Sequence, residues 1–562
     1  MISTVKPSLV ALVLTAIALG ASGCTGPFEY MRNGLKVGPN YHGATACVAP
    51  HWIDEADARV RPDPIDLTQW WCVFNDPVLN GLIDCAAHQN LSLREAGFRI
   101  LEARAELGIT EGRLFPQVQQ ATGGFTRTKF SGANPTTYTV NGTMVGTIAV
   151  PPGGPAQPAV LSGQGPLVLT PPVAMSNWNF GMNMAWELDF WGRFRRAIVA
   201  AEDTLQANCA DYNGVMVTLL GDVAKYYVEL RTDQKRIELV QANAMLQRRV
   251  LEIARRRFQE GQSNDLDLNQ ARSNLAQTES QIPLFESDLR AAANRLCVLM
   301  GVPPANLAAQ LCAGPIPMAP ATVVVGIPAD LLRRRPDICR AERLAAAQAE
   351  QIGIAETDLY PIFSIDGNLG YSASTFSALF QPNAFTGAVG PALQWNVLNY
   401  YRIRNNMRRQ DAKFQELLVM YQRMVLQAAE ETENGLSHFL QEQERSKLLD
   451  ESVACAQLAV NTVVKQYEAG GIDFTRVSQI QQNLVQQQDA QAASHGQVAQ
   501  GLIEVYRALG GGWRLPMDGA EPPQSVPPPP APLPTEEVPL PAPGAPRPLP
   551  DETPPAPLPA PQ

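Results

Sequence analysis

A mainly α-helical fold with a small β component, built from one unit written twice, is predicted by three observations on this 562-residue sequence. The first is self-similarity, read before any motif because a missed repeat misassigns the whole fold. A shift of 209 positions lays Trp186 on Trp395, Arg193 on Arg402, Arg195 on Arg404, Phe258 on Tyr467, Gly261 on Gly470, Asn274-Leu275 on Asn483-Leu484 and Gly301 on Gly510, without a gap. Upstream, a shift of 245 lays Gly108-Ile109 on Gly353-Ile354, Glu111 on Glu356 and Leu114-Phe115-Pro116 on Leu359-Tyr360-Pro361. The second observation is an apolar seam at coiled-coil spacing, and the third is a set of segments whose apolar residues alternate. Each copy therefore reads as a helix, a short extended pair, then two long helices.

The chain opens on Lys6 and an apolar run from Leu9 to Leu19, followed by Gly20-Ala21-Ser22-Gly23 and Cys24. That run is too short to span a bilayer and has the form of a signal peptide. Small residues ending at a cysteine resemble a bacterial lipobox, in which the cysteine is acylated and becomes the new first residue, so Cys24 is the expected lipidation site. Beyond it no run of 18 or more apolar residues occurs, which leaves lipid or β-strands as the only routes into a membrane.

The two registers differ by 36 residues, an insertion between Pro116 and Trp186 that carries the loop signals Asn134-Pro135, Pro151 through Pro155 and Pro171-Pro172. After it, Trp178, Phe180, Met182, Met184 and Trp186 alternate with Asn177, Asn179, Gly181, Asn183 and Ala185. In the second copy Phe363, Ile365, Leu369 and Tyr371 alternate with Ser364, Asp366, Asn368 and Ser372, and a partner strand offers Phe385, Val389, Leu393 and Trp395. Between Pro116 and Arg127 no apolar face stands out. Strands of about ten residues, apolar on one side with aromatics near the ends, suit a membrane barrel, because a bilayer satisfies no backbone hydrogen bond. Trp178, Phe180, Met182, Met184, Phe363, Ile365, Leu369 and Tyr371 are the expected lipid-facing set, with loops near Thr139 and Gly370 outside the cell.

From Leu219 the seam runs through Val223, Tyr226, Leu230, Ile237, Val240, Ala244, Leu251, Ala254 and Phe258, interrupted only by Asp233 and Gln247. Spacing by threes and fours over that span predicts a helix of about forty residues packed coiled-coil fashion. Leu417, Tyr421, Met424 and Ala428 repeat the spacing in the second copy. Two hairpins supply four strands, whereas the smallest single-chain outer-membrane barrels have eight. Two chains would close a barrel filled with side chains and three would leave a water-filled lumen; the residues leave that choice open.

Composition removes other classes. Charged residues make up 17% of the chain, with a net charge of −10, which offers no electrostatic footprint for nucleic acid. His42, His51, His88, His438 and His495 are scattered without metal-ligand spacing. No P-loop, HExxH or GxSxG motif appears outside the signal segment, so no enzyme, metal or cofactor is expected. Eight cysteines beyond Cys24 (Cys47, Cys72, Cys85, Cys209, Cys297, Cys312, Cys339 and Cys455) form no CxxC pair, and their disulfide pairing is open. Of the 47 prolines, 19 fall between Glu521 and Gln562, an acidic polyproline-like tail expected to be dispensable when cut at Asp518.

Four motifs carry a family resemblance: Val37-Gly38-Pro39-Asn40-Tyr41; Trp70-Trp71 with Phe74, Asp76-Pro77, Leu79 and Leu82; Leu332 through Ile338; and Leu509-Gly510-Gly511-Gly512-Trp513. From Val37 to Trp513 the sequence resembles TolC-like outer-membrane efflux proteins, in the lipoprotein branch related to nodulation protein T. The resemblance implies a homotrimer, with a twelve-stranded β-barrel in outer-membrane lipid and a helical barrel through the periplasm. It also implies a periplasmic adaptor and an inner-membrane pump, commonly of the proton-driven RND type, and passive export of drugs or other small toxic compounds. Asp265 and Asp267, and Asp473 and Arg476, fall at the helix-to-helix turns that form the periplasmic tip in relatives; as turn residues they also suit helix caps. Arg333-Arg334-Arg335 ahead of Pro336-Asp337 suits a helix start, and Trp70, Trp71 and Trp513 suit packing.

On this layout 1–23 is the signal peptide and 24–75 the lipid-anchored N-terminal and equatorial segment. Residues 76–310 are the first repeat with its hairpin at about 116–190, 311–330 a linker, 331–515 the second repeat with its hairpin at about 361–397, and 516–562 a disordered tail. A protein-secretion duct shares all these features, and a lipid-anchored scaffold that never spans the membrane is the contrasting class.

Overall fold

The computed structural model describes residues 26–63, 67–129, 138–140, 167–169, 174–330 and 334–513. Cys24 with its leader, Leu332 and Arg333, and the proline-rich tail lie outside the described residues.

Helix α1 (Pro27–Arg32) and strand β1 (Val60–Arg61) precede a 3-10 turn at Trp70–Phe74. Helices α2 (Pro77–Gln89) and α3 (Leu91–Gly112) follow. Asp76 and Asn90 start them, their side chains accepting from the N–H groups of Val78 and Leu79 and of Leu93, which satisfies donors that helix geometry leaves orphaned. The first hairpin joins β2 (Val118–Lys129) to β5 (Ala174–Glu187), with the short pair β3 (Tyr138–Val140) and β4 (Leu167–Leu169) between them. Next come α4 (Arg193–Gln259), α5 (Asp265–Glu279), α6 (Gln281–Leu299), α7 (Leu307–Gln310) and β6 (Val323–Val324), which pairs in parallel with β1. The second half contains α8 (Pro336–Thr357), β7 (Ile362–Ala373), β8 (Phe385–Gln394), α9 (Arg402–Glu468) and α10 (Phe474–Ala508).

Helices α4 and α9 both run 67 residues, about 100 Å each at 1.5 Å per residue. Both exceed the forty residues that the seam predicts. The first turns of α4 pack through small Ala200 and Ala207 and the buried Arg196, so they carry no apolar period. The two residues that interrupt the seam, Asp233 and Gln247, are nevertheless buried. A second difference concerns the return helix, which is continuous as α10 but broken in the first half at Ser280 between α5 and α6. Pro283 accounts for the break: it lacks an N–H and its ring crowds the carbonyl four residues back, whereas the corresponding position in α10 is Ala492.

Four strands form one antiparallel sheet in the order β2, β5, β7, β8. The helices joined to them pack in the matching order α3, α4, α8, α9, with α10 against α9 and α4. The larger core gathers Leu79, Ile83, Leu220, Tyr227, Leu296, Ile338, Phe439 and Leu502. Trp70 lies within it, 2% exposed, against Trp71 and Tyr506. A smaller cluster of Val250, Val460, Val464, Tyr467, Phe474 and Leu484 sits toward the helix turns. Arg335 closes the start of α8, pairing with Asp337 and Glu431 at 2.7 Å each and donating to the Ala508 carbonyl.

The Val37-Gly38 segment is tied down by one residue of α4. Arg196, wholly buried, donates Nε to the Val37 carbonyl and Nη2 to the Gly38 carbonyl, both at 2.7 Å, and Nη1 to Glu350 Oε2 at 2.6 Å. Gly38 has φ +89, and a Cβ there would lie 2.7 Å from the Gly353 Cα, so the crossing of this segment over α8 admits glycine alone at that point.

Asp233 yields a pH prediction. Its Oδ2 has no partner and its Oδ1 lies 3.6 Å from Arg236, whose guanidinium is held by Asp489 at 2.7 Å. Burial pushes this carboxyl up to about 6, against the opposing pull of Arg236 and with help from Glu229 and Asp288. A carboxyl that holds its proton more tightly when folded destabilises the fold as it ionises, so its contribution worsens as pH rises from the ordinary 3.8 through about 6. Asp233→Asn is expected to raise stability at pH 7.5 by on the order of 2 kcal/mol and to change little at pH 4. Thermal melts across that range test it; parallel pH profiles for the two proteins would contradict it.

Candidate functional site

Two surfaces stand out, the sheet and the turns between long helices. In the sheet, antiparallel register puts Phe180 opposite Tyr371, Met182 opposite Leu369 and Phe363 opposite Leu393. Since directly paired residues share a face, all eight residues expected on one side, Trp178, Phe180, Met182, Met184, Phe363, Ile365, Leu369 and Tyr371, lie on a common face. Val389 of β8 continues it, and Phe180, Met182, Leu369 and Val389 are all exposed. The other face carries Asn177, Asn179, Asn183, Asp366 and Asn368. On that side Ser372 donates to Asn177 Oδ1 at 2.9 Å, and Asn368 Oδ1 accepts from the Ala388 N–H at 3.0 Å. Strand β2, illegible by sequence, takes its face from its partner: Phe125 pairs with Trp178, Gly123 with Phe180 and Ala121 with Met182.

One loop assignment is corrected. Gly370 lies within β7, paired with Thr386, and the connection to β8 is residues 374–384. This glycine serves close strand approach, since a Cβ on it would sit 2.7 Å from the Phe180 carbonyl oxygen and one on facing Gly181 would sit 2.7 Å from that of Leu369. Thr139 lies in β3, paired with Val168.

At the turns, Gly261 and Gly470 follow the ends of α4 and α9 with φ +73 and +80, left-handed conformations that favour glycine. Asn264 starts α5 by accepting from the Asp267 N–H, and Asp473 starts α10 by accepting from the Arg476 N–H at 3.2 Å. Asp265 and Asp267 occupy the first turn of α5, where the helix dipole favours anions. Asp265 accepts from Asn269 and Asp267 from Ser263 Oγ at 2.6 Å. Asp267 and Asp473 line one cavity with Arg257 and Tyr467; Asp265 and exposed Arg476 lie outside that lining.

Arg257, and Tyr467 beyond its match to Phe258, were not singled out as site residues by the sequence although they join the two turns. Arg257 donates to the Tyr467 carbonyl at 2.7 Å and lies 4.6 Å from the Tyr467 ring centroid, a cation–π contact. Burial, reinforced by Asp267, raises the Tyr467 phenol pKa. The signal that could have found Arg257 is the run Arg255-Arg256-Arg257 in the last turn of α4, where cations suit the helix end.

Among the described residues no helix is long and apolar enough to cross a membrane, and no group of three or more His, Cys, Asp or Glu is placed to hold a metal. The eight described cysteines are free thiols.

Comparison with known proteins bears on the sheet and the long helices together. Nodulation protein T of Rhizobium leguminosarum bv. trifolii is 27% identical over 488 residues, spanning 86% of this chain and 96% of its own. The pyoverdine export outer membrane protein OpmQ of Pseudomonas putida is 28% identical over 463 residues, 81% of this chain and 90% of its own. Among solved structures the outer-membrane channel OprN superposes with a TM-score of 0.74 at 27% identity, covering 85% of this chain and 99% of that one. The profile of the outer membrane efflux protein family matches residues 82–302 and 327–511, the stretches that hold both hairpins and both long helices, and the chain belongs to that family.

Proposed function

We propose that this protein is the outer-membrane exit duct of a tripartite efflux system, passively exporting small toxic compounds. The observation that carries this reading is the four-stranded sheet with one apolar face, one polar face and, among the described residues, two unpaired edges, continued by helices about 100 Å long. Four strands close no barrel, and three copies supply twelve, enough for a water-filled lumen lined by the asparagine face. The apolar face meets outer-membrane lipid, Cys24 carries the acyl anchor, and the helices extend through the periplasm toward an adaptor and an inner-membrane pump of the RND type. Relatives named for pyoverdine export and for solvent and toluene efflux support export of small molecules.

Purified full-length protein in lipid vesicles is expected to be trimeric and to conduct ions. A stable monomer without conductance would overturn the reading. Under the same proposal the α9–α10 turn constricts the duct. Asp473→Ala removes a helix start worth about 1 kcal/mol and is expected to raise single-channel conductance with little loss of overall stability. Conductance equal to the parent would remove Asp473 from the constriction.

A further inference from the structure

One of the contacts between the two halves inside the chain has a counterpart that the chain leaves unmade. The equivalence of the halves is visible at the junction between sheet and helices. Trp186 donates its indole N–H to the Leu114 carbonyl at 3.1 Å, and Trp395 donates its own to the Leu359 carbonyl at 2.9 Å. These are the same bond in both halves, joining positions related by the 209 shift to positions related by the 245 shift.

Five residues after Trp186, the first half docks on the second. Trp191 stacks on Tyr360, with centroids 4.5 Å apart and planes at 28°, and donates Nε1 to the Pro361 carbonyl at 2.8 Å. By the same shifts, Tyr400 stands for Trp191 and Phe115-Pro116 for Tyr360-Pro361. Within the chain these counterparts stay exposed, Tyr400 at 88% and Phe115 at 65%. Tyr400 and Tyr401 moreover sit at φ +48 and +62, a left-handed conformation that side-chain-bearing residues adopt only when their surroundings hold them there.

The edges agree. Strand order β2 to β8 and helix order α3 to α9 end on the same two stretches of chain, and among the described residues each edge strand is joined to the edge helix beside it. Gly353 of α8 is pressed by α4, a Cβ there falling 2.4 Å from Arg196 Nε, while its counterpart Gly108 of α3 has nothing within 4 Å. Resting on the multi-copy assembly above, we infer that Tyr400 of one copy stacks on Phe115 of the next, and that α9 of the first copy crosses α3 of the next at Gly108. The ion pair beside the internal contact, Arg193 with Asp358 at 3.2 Å, is not repeated, because Arg402 and Arg113 occupy those places. The contact between copies is therefore carried by the rings.

The test is Phe115→Cys with Tyr400→Cys in the full chain, extracted from membranes and treated with a short thiol-to-thiol crosslinker, beside the two single variants as controls for the eight native cysteines beyond Cys24. Bands of two and three copies confined to the double variant are expected. Should untreated protein be oligomeric while the double variant crosslinks no more than the singles, the latch is wrong and the assembly stands; a monomeric parent overturns both. A second measurement keeps the inference open to refutation if the double variant does not fold. Tyr400→Phe should assemble like the parent, and Tyr400→Ser should dissociate at about tenfold higher concentration, whereas identical dissociation of the two removes the ring from the interface.

Discussion

Met182→Arg is expected to leave most of the protein unassembled, outside the membrane fraction that carries the parent. Met182 lies near the middle of β5 with Leu369 on one side and Ala121 on the other, and is 62% exposed. On the proposed lipid face a cation at mid-depth costs about 2–4 kcal/mol, and the cost recurs in every copy of a closed barrel. Asn183→Arg, one residue on and facing the opposite side, should assemble normally because a lumen face is wet. Heat-modifiable oligomer in the membrane fraction reads both variants. Equal behaviour of the two would refute the assignment of faces.

Arg196→Met should be the most destabilising single change away from the sheet. Its guanidinium, wholly buried, is the partner of Glu350 and of two backbone carbonyls in the Val37-Gly38 segment. Removing it strands a buried carboxylate and takes a charged donor from each of those carbonyls, a loss of about 3–5 kcal/mol. Arg196→Met with Glu350→Leu should recover a large part of that loss, because no charge is then left without a partner. Thermal melting gives the magnitude, and proteolysis within residues 27–40 should accelerate in the single variant, since the segment it ties down is released. A double variant no more stable than the single would show that the ion pair is not the source of the loss.

Both variants test features that the sequence discloses unequally. Met182 belongs to an alternation of large and small residues, and period two is a local property of a strand that survives without knowledge of its partner. Arg196 shows no such mark: its partners lie more than 150 residues away in both directions, and nothing in Arg193-Phe194-Arg195-Arg196 separates the buried guanidinium from its neighbours. Asp473 was legible as a helix start, because capping is a bond to a neighbour three residues on; the cap of α5 is Asn264, one residue ahead of the Asp265 and Asp267 that the sequence singles out. The Arg257–Tyr467 contact was not, since it joins two turns about two hundred residues apart. The break at Ser280 had a legible cause in Pro283, yet a repeat read by matching similar residues passes over a position where the copies differ in backbone chemistry.

The amphipathic ribbons, the heptad seam and the glycine turns follow from the order of residues alone, because each depends on side chains within a few positions of one another, and the duplicated plan follows from it because similar residues recur at fixed shifts. Tertiary structure decided the rest. The face of β2 is set by its register with β5, because Ala121, Gly123 and Gly124 have too little side chain to show one. The burial of Asp233 and Arg196, and the aromatic junction at Trp191 and Tyr360, depend on which helices lie side by side. Periodicity records how a segment would bury itself against any apolar neighbour; which neighbour it meets is fixed only when distant segments pack.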